Sequence, residues 1–193
     1  MVNDVRRTQL LDIGLELFST QAFDTVSIEE IARRVGISRG LLYHYFTSKR
    51  VFYVEIVRLA AQDLLSRLGQ GAASTPGERL RTDLAAYLGF VAERSAGFVT
   101  LLRGGIGSDP EVQLVVDSTR DAIVDAVLQG TDRVRRSAAT EVALFGWVGF
   151  VESSSLRWLV VDIDERPPAE TMIRLFSQQL ATALNSIEEI STA

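Results

Sequence analysis

The sequence predicts an all-α protein of about nine helices, with a three-helix head at the N-terminus and a larger helical body after it. Three observations lead there. Apolar residues recur at i, i+3, i+4 spacing nearly throughout, and no convincing run alternates with period two. Turn clusters (GQGAASTPG at 69–77, RGGIGSDP at 103–110, GTDRVRR at 130–136, DIDERPP at 162–168) cut the chain into helical lengths. Between residues 27 and 49, helix-capping residues lie close enough together for two short helices joined by a tight turn.

Each element has a local reason. Leu10, Ile13, Gly14, Leu17 and Phe18 form one face of a first helix over about 4–20, where Gly14 lets another helix approach closely. Ser27 and Glu30 are spaced as a capping box at the start of a second helix, striped by Ile28, Ile31, Ala32 and Val35 and stopped by Gly36. Ser38 caps a third helix, SRGLLYHYF, with Leu42 and Phe46 four apart and facing the core. Thr47 or Ser48 caps a fourth, over about 48–68, with Phe52, Ile56 and Leu59 on one side. Four longer helices follow near 77–95, 111–129, 138–160 and 168–187, with a shorter one near 97–103. Short loops between long amphipathic helices imply antiparallel packing. The head is expected at 1–50, with helix 48–68 linking it to a body at 51–193.

Composition narrows function. The 193 residues include no Cys, one His (His44) and one Lys (Lys49) against nineteen Arg. This removes disulfides, zinc fingers and thiol nucleophiles, and leaves no His pair for a metal site. No cofactor or metal is expected, and no enzyme. The longest strongly apolar stretch, Val142–Val151, has ten residues and is too short to span a bilayer. The N-terminal MVNDVRRTQLLDIG has no apolar signal-peptide core, so a cytoplasmic, non-membrane protein is expected.

Net charge is −5, which argues against nucleic acid until its distribution is considered. Residues 1–60 hold eight Arg/Lys and seven Asp/Glu; residues 61–193 hold twelve and eighteen. No acid lies between Ile31 and Val54, where Arg33, Arg34, Arg39, Lys49 and Arg50 cluster. Such a patch is a footprint for phosphate, although charge counts alone also fit a solvated surface. With Leu42 and Phe46 inward, Arg39, Gly40, Tyr43 and His44 lie broadly opposite on the third helix. A helix of that kind fits the major groove, and Gly40 lets the backbone approach closely.

The segment from Leu10 to Ile56 resembles the DNA-binding domain of the TetR family of bacterial regulators. The carrying residues are Leu17–Phe18, Ser27, Ile31–Ala32, Gly36-Ile37-Ser38, and Leu42-Tyr43-His44-Tyr45-Phe46 followed by Lys49. The resemblance implies that Ser27 reaches a phosphate, and that Ser38 and Arg39 touch backbone and base edges. It places Gly40 and Leu41 against bases, and gives Tyr43 and His44 a phosphate or base contact. Lys49, at the start of the fourth helix, would bind phosphate, where the helix N-terminus adds its own partial charge. Leu41 departs from the Thr or Ser often found at its position, so readout there is apolar, for instance of a thymine methyl. Ser27 and Ser38 are also sufficient simply as caps, and Tyr43, Tyr45 and His44 as packing or surface residues.

Two half-sites one turn apart call for a dimer. The helices near 138–160 and 168–187 are its expected interface, through Leu144, Trp147, Val148, Val151, Ser155 and Trp158, with Gly146 and Gly149 allowing close approach, and through Ile173, Phe176, Leu180 and Leu184. Ordinary intrachain core is the alternative. The resemblance further implies a small-molecule effector, for which Tyr87, Phe90, Arg103, Trp147, Phe150 and Glu152 are the candidate contacts. Arg103 either receives a ligand carboxylate or pairs with Glu152. The expected function is a ligand-responsive regulator of transcription, a homodimeric repressor on a palindromic double-stranded DNA operator. The alternatives are an activator, a ligand-independent regulator, or a helical carrier or enzyme.

Overall fold

The computed structural model describes residues 2–70, 75–103, 105–130 and 136–192, apart from the side chains at 2–4, 105 and 190–192. Parts of three predicted loops (71–74, 104 and 131–135) lie outside the described residues. The helices are α1 Val2–Thr20, α2 Ile28–Val35, α3 Arg39–Tyr45, α4 Lys49–Arg67, α5 Pro76–Glu93, α6 Ser95–Arg103, α7 Pro110–Gln129, α8 Ala138–Leu159 and α9 Ala169–Thr192. A 3₁₀ turn over Gly105–Ser108 precedes α7, inside a stretch expected to be loop. No strand occurs among the described residues.

The chain divides into two compact units: 1–63 with 93–116, and 64–92 with 117–193. The boundaries fall inside α4 and α7 and just before the last residue of α5.

In the N-terminal unit the expected caps form. Ser27 Oγ accepts from Glu30 N at 3.0 Å, but the return half of the capping box is missing, because the Glu30 carboxylate takes Arg34 Nη2 at 3.3 Å instead. Gly36 stands at φ +70°, with Gly36 N donating to Arg33 O and Ile37 N to Ala32 O, the paired bonds of a Schellman ending. Ser38 Oγ accepts from Leu41 N at 3.2 Å and starts α3. Ser48, rather than Thr47, caps α4, accepting from Val51 N at 3.1 Å.

Leu10, Leu17, Phe18, Val26, Ile31, Leu42, Phe46 and Phe52 form the core of this unit. A Cβ on Gly14 would lie 2.5 Å from Phe52 Cζ, so α4 does pack onto the glycine of α1. The sequence did not reveal that α6 belongs here too: a Cβ on Gly97 would lie 2.5 Å from the Phe18 carbonyl oxygen. A backbone carbonyl in mid-contact yields little, so Gly97→Ala is expected to lose about 1–3 kcal/mol by overpacking, outweighing its gain in helix propensity. Gly89 in α5 has open space around it, and Gly89→Ala is expected to gain about 0.4–1 kcal/mol. Denaturant titration of the two variants should give opposite signs.

The C-terminal unit holds the α8–α9 pair. Trp147 Nε1 donates to Phe176 O at 2.9 Å, and Trp158 Nε1 to Pro167 O at 2.7 Å. Arg166 donates to Leu159 O and Val161 O, satisfying carbonyls at the end of α8. The stripe expected to face a partner (Leu144, Trp147, Val148, Val151, Ser155, Trp158) is buried within the chain, as are Ile173, Phe176 and Leu180; Leu184 is half-buried. Periodicity identified a buried face correctly but not what covers it. The outward stripe of α8 is offset from it: Val142 is 73% exposed and Phe145 45%, with Gly146, Gly149 and Phe150 on the same side.

Candidate nucleic-acid interface

The short helix α3 positions the candidate residues because two of its side chains are anchored. Leu42 is fully buried and Phe46, at the C-cap, nearly so; the Phe46 ring packs edge-on to Phe52 at 4.7 Å. With these inward, Arg39, Gly40, Leu41, Tyr43 and His44 are exposed, as the sequence predicted. A Cβ on Gly40 would find only Ser38 Oγ, at 4.0 Å, so the backbone there is open to a close approach. Tyr45 is half-buried against the core, edge-on to His44 at 5.8 Å, and is a packing residue.

Ser27 and Ser38 are both exposed caps. Their two possible roles do not compete: capping uses a lone pair of Oγ, and the hydroxyl hydrogen remains available to donate to a phosphate. Arg39 is held on two sides, its guanidinium 2.7 Å from Glu29 Oε1 and 5.6 Å from the centre of the Tyr43 ring. Lys49 opens α4, with its ammonium 4.2 Å from the centre of the Phe23 ring. Burial pulls its pKa below the usual lysine value, and Asp24 pulls in the other direction. Tyr53 beneath is pushed up to about 12 by burial alone and takes no part in titration near neutrality.

The acid-free window of the sequence is not acid-free in space. Arg34 pairs with Glu30, Arg39 with Glu29, and Arg50 with Asp109 and Glu111. Arg33 and Lys49 are the cations of that window with no ion pair to a described residue.

In the C-terminal unit, Arg120 of α7 grips Glu152, through Nε at 3.1 and 3.2 Å and Nη2 at 2.7 Å. Glu152 thus has a counter-ion within its own unit, one the sequence reading did not name. The missed partner had a signal: Arg120 is the one cation on the stripe Val112, Val116, Ile123, Val127, and a charge half-buried among apolar residues needs a counter-ion. Tyr87 is buried on α5, its phenol pushed well above its usual value by desolvation and facing Ser155 and Glu152. Trp147 and Phe150 both meet Phe176, the first through its indole N–H and the second edge-on at 5.9 Å. Phe90 lies under Arg67 at 5.7 Å, and Arg103 is exposed at the end of α6. A groove of about 570 Å³ in this unit, rimmed by Asp121, Asp125 and Glu141, holds none of the residues expected to contact an effector.

Comparison with known proteins decides the family. A family model for the DNA-binding domain, "Bacterial regulatory proteins, tetR family", matches residues 10–56. A second, "Tetracyclin repressor-like, C-terminal domain", matches 76–182, more than half of the chain. The chain belongs to the TetR family. Like other TetR-family proteins it is a DNA-binding regulator of transcription. A crystal structure of a TetR-family regulator from Streptomyces coelicolor superimposes with a TM-score of 0.85 and 34% identity, over 98% of this chain and 86% of that one. The transcriptional activator FasR of Mycolicibacterium smegmatis is 28% identical over 163 residues, 81% of this chain and 73% of FasR. The transcriptional repressor KstR2 of Rhodococcus jostii is 39% identical over 69 residues, covering 36% of this chain and 34% of KstR2. TetR-family relatives thus include both signs of regulation. No helix among the described residues is long and apolar enough to cross a membrane.

Proposed function

We propose that the protein is a homodimeric, effector-released repressor acting in the cytoplasm without catalytic activity of its own. Residues 1–50 form its DNA-binding domain, α4 links, and residues 51–193 bind effector and partner. One observation carries the DNA-facing half: α3 turns Leu42 and Phe46 inward and presents Arg39, Leu41, Tyr43 and His44, with Gly40 between them. Arg39 reads a base edge in the major groove, Leu41 meets a thymine methyl, and Ser27, Ser38, Tyr43, His44 and Lys49 bind the backbone. The lone histidine of the chain thereby falls on the DNA face, which is why no catalytic role is assigned to it.

The outer faces of α8 and α9 join two copies. The effector is received in the C-terminal unit by Tyr87, Phe90, Trp147, Phe150 and Glu152, and its binding shifts the spacing of the two α3 helices. Arg103 remains a candidate for an effector carboxylate.

Fluorescence anisotropy with a duplex selected from genomic DNA tests the contacts. Lys49→Ala should weaken binding on all sequences and lower the salt slope by about one, while Arg39→Ala should cost about 1–3 kcal/mol and relax specificity at one base pair. An unchanged salt slope for Lys49→Ala removes Lys49 from the phosphate contacts. The similarity to FasR supports a second reading, an activator, and reporter expression in a deletion strain separates them: a rise at the neighbouring gene means repression and a fall means activation.

A further inference from the structure

By sequence, Arg50 stands beside Lys49 in the basic window, where charge alone does not separate a phosphate contact from a solvated side chain. Its side chain is placed otherwise. Arg50 Nε donates to Asp109 Oδ2, and Nη2 donates to Asp109 Oδ1 at 2.9 Å and to Glu111 Oε1 at 3.0 Å. Two carboxylates thus hold one guanidinium.

Asp109 is itself fixed. Its Oδ1 accepts from Glu111 N at 3.0 Å and Val112 N at 3.4 Å, so the residue caps α7 while it holds Arg50. The hydrogen bond from Arg50 lowers the pKa of Asp109 below the ordinary aspartate value. Val112, one turn into α7, is fully buried in the core of the same unit. The contact continues through Arg58, which lies 3.7 Å from Glu111 and 2.7 Å from Glu55, to Arg7 of α1 at 2.7 Å from Glu55. Arg7 in turn lies over the Phe46 ring at 5.3 Å, at the end of the recognition helix. The first turn of α4, the first turn of α7 and the end of α3 are therefore tied by one run of charges.

We propose that Arg50 is a positioning residue for DNA binding, held by Asp109 and Glu111 so that the first turn of α4 presents Lys49 to the phosphate, and that it does not itself touch DNA. This rests on the reading of α3 and Lys49 as the DNA face.

The test uses the full-length protein, a labelled duplex selected from genomic DNA, and binding measured over a range of salt. Asp109→Asn keeps an oxygen to cap α7 and removes the charge that holds Arg50. It should weaken binding roughly tenfold with the salt slope unchanged. Arg50→Ala should weaken it by a similar factor, again with the slope unchanged, and the double variant should be no worse than either single one. If Arg50 is instead a phosphate ligand, Arg50→Ala lowers the slope by about one, and Asp109→Asn frees the guanidinium and tightens binding. Either result overturns the proposal. Should Asp109→Asn melt below the assay temperature, Glu111→Gln leaves the cap intact and carries the same expected sign. Failure of the unmodified protein to bind any selected duplex refutes the DNA-facing assignment of α3 and this proposal with it; the variant results refute the positioning role alone.

Discussion

Val142→Asp with Phe145→Asp is expected to leave a folded monomer that has lost about 10²–10⁴-fold of its affinity for a palindromic operator. The magnitude comes from linkage. When one α3 is docked, the second half-site is reached at the high effective concentration set by the dimer, and a monomer forfeits that gain without losing a single DNA contact. The residues are chosen because Val142 and Phe145 lie on the outward stripe of α8, so the carboxylates enter solvent in the monomer and are buried only on association. Phe145 also lies near Arg120, at 5.9 Å, so the Val142→Asp single variant serves as the cleaner control. Sedimentation and a half-site duplex read the outcome together. Unchanged half-site binding with lost full-site binding is the expected pair of results; a variant that remains dimeric places the interface elsewhere.

Phe52→Ala should cost about 3–5 kcal/mol, the range for deleting a buried aromatic ring. Phe52 is fully buried; it meets Phe46 at 4.7 Å and Phe18 at 6.3 Å, and its ring edge fills the space above Gly14. Since that is a large share of the stability of a typical domain, the N-terminal unit should melt first while the C-terminal unit persists. Denaturant unfolding followed by far-UV circular dichroism should then show two transitions; a single transition at the unmodified midpoint would mean that the ring contributes little. Adding Gly14→Ala to this variant should cost less than Gly14→Ala alone, since the Phe52 ring atoms it would strike have been removed and only Ile56 Cδ1, at 2.7 Å, remains in the way.

The parts of this architecture legible in the sequence are those set by neighbours within one turn. Ser27, Gly36 and Ser38 act through bonds three to five residues long, and they mark α2 and α3 within a residue of where those helices form. The inward pair Leu42 and Phe46 turns Gly40, Leu41 and His44 outward by helix geometry. What the sequence hides is set at long range. Arg50 meets a carboxylate fifty-nine residues away, and Glu152 meets Arg120 across thirty-two. In both cases several partners of the right charge exist, and only packing selects one. The α8 stripe is the intermediate case: its period was readable, but intrachain and interchain burial impose the same period.

The two tryptophans and their hydrogen bonds have a practical consequence. Trp147 and Trp158 both belong to the C-terminal unit, while three of the four tyrosines, Tyr43, Tyr45 and Tyr53, belong to the N-terminal one and Tyr87 to the C-terminal. Each indole N–H is tied to a carbonyl of α9 or of the segment just before it. The chain therefore carries two optical labels that are sorted between the units except at Tyr87. Excitation at the red edge, where phenols do not absorb, watches the half that would receive an effector, and tyrosine emission reports chiefly on the half that would meet DNA.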